Sequence, residues 1–330
     1  LWQGDFHNAR QLLQALARRT ERKPKKNKKA EPEIAPVQLF NAHRQALGQR
    51  ARILAMVIVP LEGDYTIPLR RAPDLKLACT EAWGPASGEA CMVSLRELLG
   101  VVGAHEWRKN GIEIAALGDA PNNRIHPHYG VFSPVRGEYV DLVANAPIKD
   151  KSLAFDIGVG TGVLSAVLAK RGVQRIVATD QDPRALACAR ENLKRLQSID
   201  KVELVQTDLF PKGLAPLVVC NPPWVPARPS SPIEHAVYDE GSRMLRGFLT
   251  GLRAHLAPHG EGWLILSDLA EHLGLRTREE LICWISEAGL KLVDRHDIKP
   301  RHGKATDETD PLHAARAKEV TSLWRLAAAA

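Results

Sequence analysis

A glycine-rich segment of the 330-residue chain has the residue types of a loop that holds a charged nucleoside. It reads DIGVGTG over residues 156–162 and lies between an apolar run and a helical segment. Glycines there permit positive φ and let a ligand approach the backbone, while the start of the helix offers free N–H groups. Dinucleotide-binding loops have the spacing G-x-G-x-x-G, so the G-x-G-x-G spacing found here disfavours NAD.

Acidic residues end the apolar run before this loop and the next two runs along the chain. Asp156 is placed to receive the ammonium of a cationic, adenosine-bearing ligand such as S-adenosylmethionine. Asp180 can accept both ribose hydroxyls, the role of an acid in this region of dinucleotide folds. Asp208 is placed to accept from an adenine amino group, with Leu209 and Phe210 as walls for the ring. An isolated aspartate of this kind is more often a cap or turn residue, but three in order predict a cofactor site.

The tetrad Asn221-Pro222-Pro223-Trp224 follows the fourth apolar run. Taken alone, it is a strand end before a proline-rich loop. Together with DIGVGTG, Asp180 and Asp208, it resembles the class I S-adenosylmethionine-dependent methyltransferases that modify nitrogen on planar groups. The resemblance is greatest to the HemK-type and small-domain methyltransferases, and it covers residues from about 125 to 326.

The resemblance implies a chemical role for each part of the tetrad. An amide or exocyclic amino nitrogen is a poor nucleophile because its lone pair is delocalised into the adjoining π system. Asn221 Oδ1 and the Pro222 carbonyl can accept its two N–H bonds, which orients the nitrogen and stabilises the positive charge that grows on it. The Pro-Pro step fixes these acceptors. Trp224, where the family usually has Tyr or Phe, offers a face for stacking worth about 1 to 3 kcal/mol for a nucleobase.

Two flanking segments extend the resemblance. Residues 126–143, HPHYGVFSPVRGEYVDLV, resemble the segment ahead of the glycine loop, where Phe132, Ser133, Pro134 and Arg136 would border the cofactor. Residues 236–252 resemble the helix after the tetrad, with Asp239-Glu240-Gly241 as a looser version of its motif. The implied cofactor contacts are Phe132, Arg136, Asp156, Gly158, Gly160, Thr161, Gly162, Asp180, Asp208, Leu209 and Asn221, and the implied catalytic residues are Asn221, Pro222, Pro223 and Trp224.

The elements that must position these residues alternate regularly after residue 150. Short apolar runs (LAFDIG, IVATD, VELVQTD, LVVCN and GWLILSD) are separated by helical segments. This alternation predicts βαβ units and a parallel sheet, whose ligands bind at the carboxyl ends of the strands. The last two strands, KLVDRHDI and EVTSLWRLA, are expected to form a hairpin at the sheet edge. The resemblance implies an α/β fold with a Rossmann-like sheet of seven strands.

The chain before this region is predicted to form two further parts. Residues 1–36 combine an amphipathic helix over 7–19 with a basic linker, and residues 37–124 form a smaller α/β or α+β accessory domain for substrate recognition. Within the latter, ILAMVIVPL, DLKLACTEAW and IEIAAL have strand-like patterns, and SLRELLGVVGAHEWRKNG has a helical one. The methyltransferase domain is expected over 125–330.

Charge is concentrated in one segment. Residues 18–29, RRTERKPKKNKK, hold eight basic residues and one acid, which equals the net charge of +7 of the whole chain. This segment can attract RNA, DNA or another polyanion, or it can be a solvated linker.

Several classes of protein are disfavoured. No stretch approaches the ~18 to 20 consecutive apolar residues of a membrane helix, and the N-terminus lacks the apolar core of a signal peptide, so we expect a cytoplasmic location and no membrane partner. The five cysteines lack a Cys-x-x-Cys pair and do not indicate disulfides or zinc. His126 and His128 lack an evident third ligand, so no metal is expected.

The identity of the methyl acceptor stays open at this point. The helix after the tetrad favours a protein glutamine, as in a release factor or ribosomal protein, whereas the basic segment favours a base of RNA or DNA. A nucleotide-binding oxidoreductase and a non-catalytic binding protein on the same fold are the alternative functions.

Overall fold

A computed structural model describes residues 4–21, 34–229, 234, 236–301, 303 and 306–329. The chain forms two compact units, Leu1–Asn110 and Gly111–Ala330. The predicted boundary after residue 124 falls inside the second unit, because Ile125 pairs with Ile112 in a two-stranded sheet. The recognition role of 37–124 stays a prediction, and residues 22–29 of the basic segment lie outside the described residues.

The first unit is mainly helical. Its elements are α1 (Phe6–Thr20), α2 (Pro36–Ala55), β1 (Ile58–Leu61), α3 (Lys76–Trp83), β2 (Cys91–Ser94) and α4 (Leu95–Asn110). β1 and β2 pair antiparallel.

The strand predicted at DLKLACTEAW is wrong, because this segment contains helix α3. Leu75, Ala78 and Cys79 are buried together, and their spacing of three and four residues is that of one helix face. Asp74 also favours a helix start, since its Oδ1 accepts from the backbone N–H of Lys76 at 3.0 Å.

The second unit contains the predicted alternation of strands and helices. Its elements are β3 (Ile112–Glu113), β4 (Arg124–Ile125), α5 (Glu138–Asn145), β5 (Leu153–Ile157), α6 (Val163–Lys170), β6 (Arg175–Asp180), α7 (Pro183–Arg195), β7 (Val202–Gln206), β8 (Ala215–Cys220), α8 (Arg243–His255), β9 (Leu256–Ser267), α9 (Leu269–His272), α10 (Arg278–Glu287), β10 (Leu290–Ile298), α11 (His313–Arg316) and β11 (Thr321–Ala328). The predicted strand IEIAAL is shorter than expected: β3 ends at Glu113, and a 3₁₀ turn follows at Ala115–Leu117.

The large sheet has seven strands in the order β10-β11-β9-β8-β5-β6-β7. β7, β6, β5, β8 and β9 are parallel neighbours, whereas β11 runs antiparallel to both β9 and β10. The seven-stranded α/β fold and its closing hairpin are therefore confirmed. β10 is the edge strand of that hairpin, and its carboxyl end lies at the same edge of the sheet as those of β5, β6, β7, β8 and β9. Ligands of such sheets bind at this edge.

Helices cover the sheet on both faces, which explains why its central strands are continuous apolar runs. Leu217 and Val219 of β8 face a core that includes α5, α6 and α7. Val218 and Cys220 face a second core that includes α8 and α10. Trp224 packs against both cores at the end of β8.

None of the helices described above combines the length and the apolar character that crossing a membrane requires.

Candidate active site

The glycine loop connects β5 to α6 through three residues with positive φ. Gly158, Gly160 and Gly162 have φ of 78°, 51° and 82°. The backbone N–H of Gly158 donates to the Thr179 carbonyl at 2.9 Å, which holds the loop against the end of β6. A Cβ at Gly162 would lie 3.2 Å from the Cα of Ala189, whereas at Gly160 the nearest atom would be 4.0 Å away. Gly162 thus permits close helix packing, and Gly160 leaves space above the loop for a ligand.

Asp180 at the end of β6 is joined directly to this loop. Its Oδ2 accepts from the N–H of Gly160 at 3.1 Å, and its Oδ1 accepts from the N–H of Asp182 at 3.0 Å. Burial raises the pKa of its carboxyl above the ordinary value. An ionised carboxylate keeps further lone pairs beyond these two bonds. Acceptance of the ribose hydroxyls by Asp180 stays a prediction that this geometry permits.

Asp156 lies beneath the loop and is 1% exposed. Its Oδ2 accepts from the hydroxyl of Ser165 at 2.6 Å. Burial, with a smaller contribution from the nearby charge of Asp180, raises the pKa of Asp156 to about 6, although the Ser165 hydrogen bond acts in the opposite direction. A cation nearby would favour the ionised form of both acids. The buried carboxyl group of Asp156 and the partly buried one of Asp180, beside an open glycine loop, therefore fit a cationic cofactor such as S-adenosylmethionine.

Thr161 is buried within the loop, and its backbone carbonyl accepts from Asn192 Nδ2 of α7 at 3.1 Å. The same Asn192 side chain bonds the backbone of His126 through both its oxygen and its nitrogen. Thr161 is thus fixed between α6 and α7. Its direct contact with cofactor stays a prediction.

Asp208 and Leu209 follow β7, which pairs with β6, the strand that ends in Asp180. The side chain of Asp208 is 60% exposed and lies 3.5 Å from Arg243 Nη2. The Leu209 carbonyl accepts from Thr179 Oγ1 at 2.5 Å, which fixes the segment to β6. The predicted contact of Asp208 with an adenine amino group would compete with Arg243 for the carboxylate.

The Phe210 ring, predicted as a wall for the adenine ring, is partly exposed and stacks on side chains of α8, so that role stays a prediction. The ring lies nearly parallel to the rings of His255 and Phe248, with centroid distances of 4.3 and 5.8 Å. A Cβ at Gly251 would also lie 2.5 Å from the Phe210 ring. The ring is therefore packed against α8.

The tetrad begins directly after β8, as predicted, since Asn221 follows Cys220, the last residue of the strand. Pro222 is buried, and Asn221 and Trp224 are partly buried. Asn221 Oδ1 accepts from the indole Nε1–H of Trp224 at 2.8 Å. This bond was not foreseen from the sequence, where Trp224 was expected to offer only its face. The guanidinium of Arg136 lies over the Trp224 ring, 5.9 Å from its centroid.

Arg136 therefore lies beside the tetrad, and its contact with the cofactor stays a prediction. Its Nη1 donates to Glu319 Oε1 at 3.2 Å, and the hydroxyl of Ser267 donates to the same oxygen at 2.7 Å. Phe132 packs against the core that includes α5, α6 and α7. Glu319 was missed because it follows the tetrad by almost a hundred residues, and no local pattern marks it.

Asp239, part of the motif-like segment noted after the tetrad, caps helix α8 in the structure. Its N–H donates to the Val225 carbonyl at 2.9 Å, next to the tetrad. Its carboxylate accepts from the N–H groups of Met244 and Leu245 at 3.0 and 3.2 Å, which caps α8. Burial raises the pKa of this carboxyl. Asp239 thus ties the chain after the tetrad to the start of a core helix.

A cavity of about 390 Å³ lies in the connection between β10 and β11, at the same edge of the sheet. Glu319 lines it and also contacts Arg136, so the cavity is connected to the tetrad through these two side chains. Its lining is Lys299, Pro300, Thr306, Glu308, His313, Arg316, Ala317 and Glu319.

The histidines noted in the sequence have other partners. His128 Nε2 lies 3.0 Å from Glu191 Oε2. Across the described part of the chain, no group of three or more His, Cys, Asp or Glu side chains is arranged to hold a metal ion.

The strand order, with its antiparallel β11, combines with the glycine loop, the ordered acids and the tetrad. Together they define a class I S-adenosylmethionine-dependent methyltransferase. Comparisons with known proteins then specify the family. The model of the methyltransferase small domain family matches residues 122–271.

The alignments of this chain with two curated relatives span most of the length of each relative. The tRNA1(Val) (adenine(37)-N6)-methyltransferase of Shewanella loihica is 30% identical over 183 residues, which are 52% of this chain and 72% of the relative. A Methanocaldococcus jannaschii protein, named as a candidate protein N5-glutamine methyltransferase, is 29% identical over 154 residues, 44% of this chain and 76% of the relative. Among solved structures, the ribosomal protein L11 methylase of Lactobacillus delbrueckii subsp. bulgaricus aligns with a TM-score of 0.44 and 17% identity, over 64% of this chain and 90% of that chain.

The chain belongs to the methyltransferase small domain family. It is an S-adenosylmethionine-dependent methyltransferase, as the resemblance of its motifs predicted. The matches give no support to the oxidoreductase alternative.

Proposed function

We propose that this enzyme methylates an amino or amide nitrogen that is conjugated with a planar group in a macromolecule. The observation that carries the proposal is the position of Asn221, directly after β8 and held at Oδ1 by the indole of Trp224. A fixed amide oxygen followed by a rigid Pro-Pro backbone is suited to accept N–H bonds from such a nitrogen.

The protein residues would act by orientation. Asn221 Oδ1 and the Pro222 carbonyl would accept the two hydrogens of the nitrogen, so that its lone pair points out of the conjugated plane. S-adenosylmethionine supplies the electrophilic methyl group. Asp156 and Asp180, which lie beside the glycine loop, would hold its cationic and ribose parts. No strong base is needed because the methylated nitrogen becomes acidic, so positioning and electrostatics supply the catalysis.

Two acceptor classes share this chemistry. The Shewanella relative is named for an adenine N6 nitrogen in a tRNA, and the Methanocaldococcus relative for the N5 nitrogen of a protein glutamine. In both, an NH₂ group is attached to an sp² carbon. The same tetrad can therefore serve either class.

Charge supports a polyanionic partner. Residues 1–110 contain eighteen Lys and Arg and eleven Asp and Glu, so this unit carries the whole net charge of +7. A basic surface attracts nucleic acid and particles that contain it, such as ribosomes. We therefore favour an RNA or ribosome-associated acceptor in the cytoplasm, with a free release factor as the competing class.

The experiment is to identify the labelled nitrogen. The enzyme is incubated with methyl-tritiated S-adenosylmethionine and, separately, with tRNA, ribosomal RNA, ribosomal proteins and release factors from cells that lack it. Hydrolysates are then examined for N-methyl bases and N-methylglutamine. Asn145→Ala controls for the general effect of replacing an asparagine outside the tetrad. Asn145 is exposed, and among the contacts described its side chain bonds only the Asp141 carbonyl of its own helix.

We expect label on an amino or amide nitrogen of one fraction, made equally by wild type and Asn145→Ala. Label on oxygen or carbon would overturn the proposal. So would labelling restricted to small molecules.

A further inference from the structure

We propose that Trp224 is a positioning residue that acts through its indole N–H to fix the orientation of the Asn221 amide. This inference rests on the proposed function, because it assigns the task of orienting the acceptor to Asn221. It differs from a stacking role, in which only the face of the ring would matter.

The hydrogen bond settles which atom of the Asn221 amide faces the ring. An indole Nε1–H is a donor only, so its 2.8 Å contact requires the amide oxygen and excludes the NH₂ group. The amide oxygen has two lone pairs, and the indole uses one of them. The second lone pair remains for an N–H of the acceptor. A flipped amide would instead present a donor to a donor.

The Trp224 ring is itself held from several sides. It packs against the cores on both faces of the sheet, and the Arg136 guanidinium lies over it at 5.9 Å. Arg136 is in turn paired with Glu319, whose side chain is fully buried and also accepts from Ser267. Because these contacts restrict the indole, its N–H is a fixed reference for the Asn221 side chain.

The Tyr or Phe that the family usually has at this position cannot replace this contact. Phenylalanine keeps a planar apolar ring but has no donor. Tyrosine carries its donor at the far end of the ring, away from the place of the indole nitrogen. Trp224→Phe therefore separates the two roles, since it keeps a stacking face and removes only the bond to Asn221.

The first test detects the hydrogen bond between Trp224 and Asn221 in the absence of a methyl acceptor. The seven tryptophan indole N–H signals are recorded by ¹⁵N–¹H NMR, and Trp224→Phe identifies the Trp224 signal by its loss. We expect Asn221→Leu to shift this signal and to increase its exchange with solvent by at least tenfold, while Asn221→Asp, which keeps an acceptor oxygen, leaves it protected. A signal that Asn221→Leu leaves unchanged would overturn the inference.

The second test uses the acceptor fraction labelled by the wild type. We expect Trp224→Phe to lower kcat about tenfold, the effect of one lost hydrogen bond, with KM for the acceptor changed less than about twofold. In an Asn221→Ala background the same substitution should cost nothing further. Trp284→Phe is the matched control. Trp284 lies on α10, away from the tetrad, and like Trp224 it has an arginine over its ring, since Arg246 lies 5.3 Å from the ring centroid.

Two kinetic results would overturn the positioning role: a rise in KM with unchanged kcat, or an equal loss in the Asn221→Ala background. If no fraction is labelled by the wild type, the proposed function fails. The indole signals still decide in that case whether Trp224 holds Asn221.

Discussion

The Asp156 carboxyl is unfavourable for the stability of the protein without cofactor, a cost that its proposed contact with the cofactor would offset. Its burial raises the pKa to about 6, so ionisation at neutral pH costs free energy in the folded protein. The unfolded chain ionises this group at its ordinary value of 3.8. The free energy of unfolding therefore falls as pH rises between these two values. A cationic ligand bound beside Asp156 would offset the free-energy cost of ionising it.

Asp156→Asn should consequently stabilise the protein without cofactor. The amide oxygen can still accept from Ser165, and no charge is buried. We expect the free energy of unfolding at pH 8 to rise by about 3 kcal/mol, and the gain to shrink to about half at pH 5, where the wild-type carboxyl is mostly protonated. Urea unfolding at the two pH values measures this. An equal gain at both would contradict the raised pKa.

At the scale of elements, the site depends on connections made after strands end. The glycine loop bonds Thr179 of β6, Asp180 returns a bond to Gly160, and Asp239 joins the chain beyond the tetrad to α8. These bonds place three loops of a parallel sheet in one fixed arrangement. A change in a cap can therefore alter the active site through the backbone.

Asp239→Ala tests this connection. It removes the acceptor for the N–H groups of Met244 and Leu245, and loss of a helix cap of this kind costs about 1 to 2 kcal/mol. We expect the thermal midpoint to fall by several degrees and the rate of methyl transfer to fall more than that loss of folded protein explains. Asp182→Ala is the control, because Asp182 caps α7 through the N–H of Arg184 at 2.9 Å. Equal rate losses in both variants would show that the Asp239 cap has no special effect on the tetrad.

The sequence predicted most of these elements because local patterns encode them. Apolar runs that end in Asp156, Asp180 and Asn221 indicated the strands and their functional ends, and the helices between them showed the right period. DLKLACTEAW was misassigned since short apolar segments fit either period, and only the joint burial of Ala78 and Cys79 decides for a helix.

The contacts around the tetrad could be predicted only in part. The position of Trp224 was evident, but its bond to Asn221 depends on a side-chain rotamer that no spacing rule specifies. Arg136 and Glu319 meet across 183 residues of sequence, because β11 returns antiparallel beside β9. Such pairs follow from sheet topology, which a single sequence does not provide.

At the scale of the whole molecule, charge and cofactor site are in different compact units. The unit Gly111–Ala330 contains the glycine loop and the tetrad and has equal numbers of basic and acidic residues, whereas Leu1–Asn110 carries the net charge of +7. This division suggests that cofactor binding and attraction of a polyanionic acceptor are separable.

A fragment of residues 111–330 should therefore bind S-adenosylhomocysteine with nearly the affinity of the full chain, within about threefold by calorimetry. If the acceptor is RNA, as proposed, the fragment's affinity for it should fall and lose most of its dependence on salt, because the excess basic charge of residues 1–110 is absent. Full acceptor affinity in the fragment would place recognition within the second unit. Circular dichroism checks that the fragment is folded.

The proposed role of Asn221 is to orient the acceptor nitrogen for methyl transfer. The most direct measurement is single-turnover methyl transfer by Asn221→Ala at saturating acceptor, paired with calorimetry of S-adenosylhomocysteine binding. We expect the rate to fall at least a hundredfold, the scale of losing an oriented acceptor of transition-state charge, while cofactor affinity stays within about threefold. A variant that binds cofactor normally and transfers methyl at the wild-type rate would show that Asn221 does not orient the acceptor.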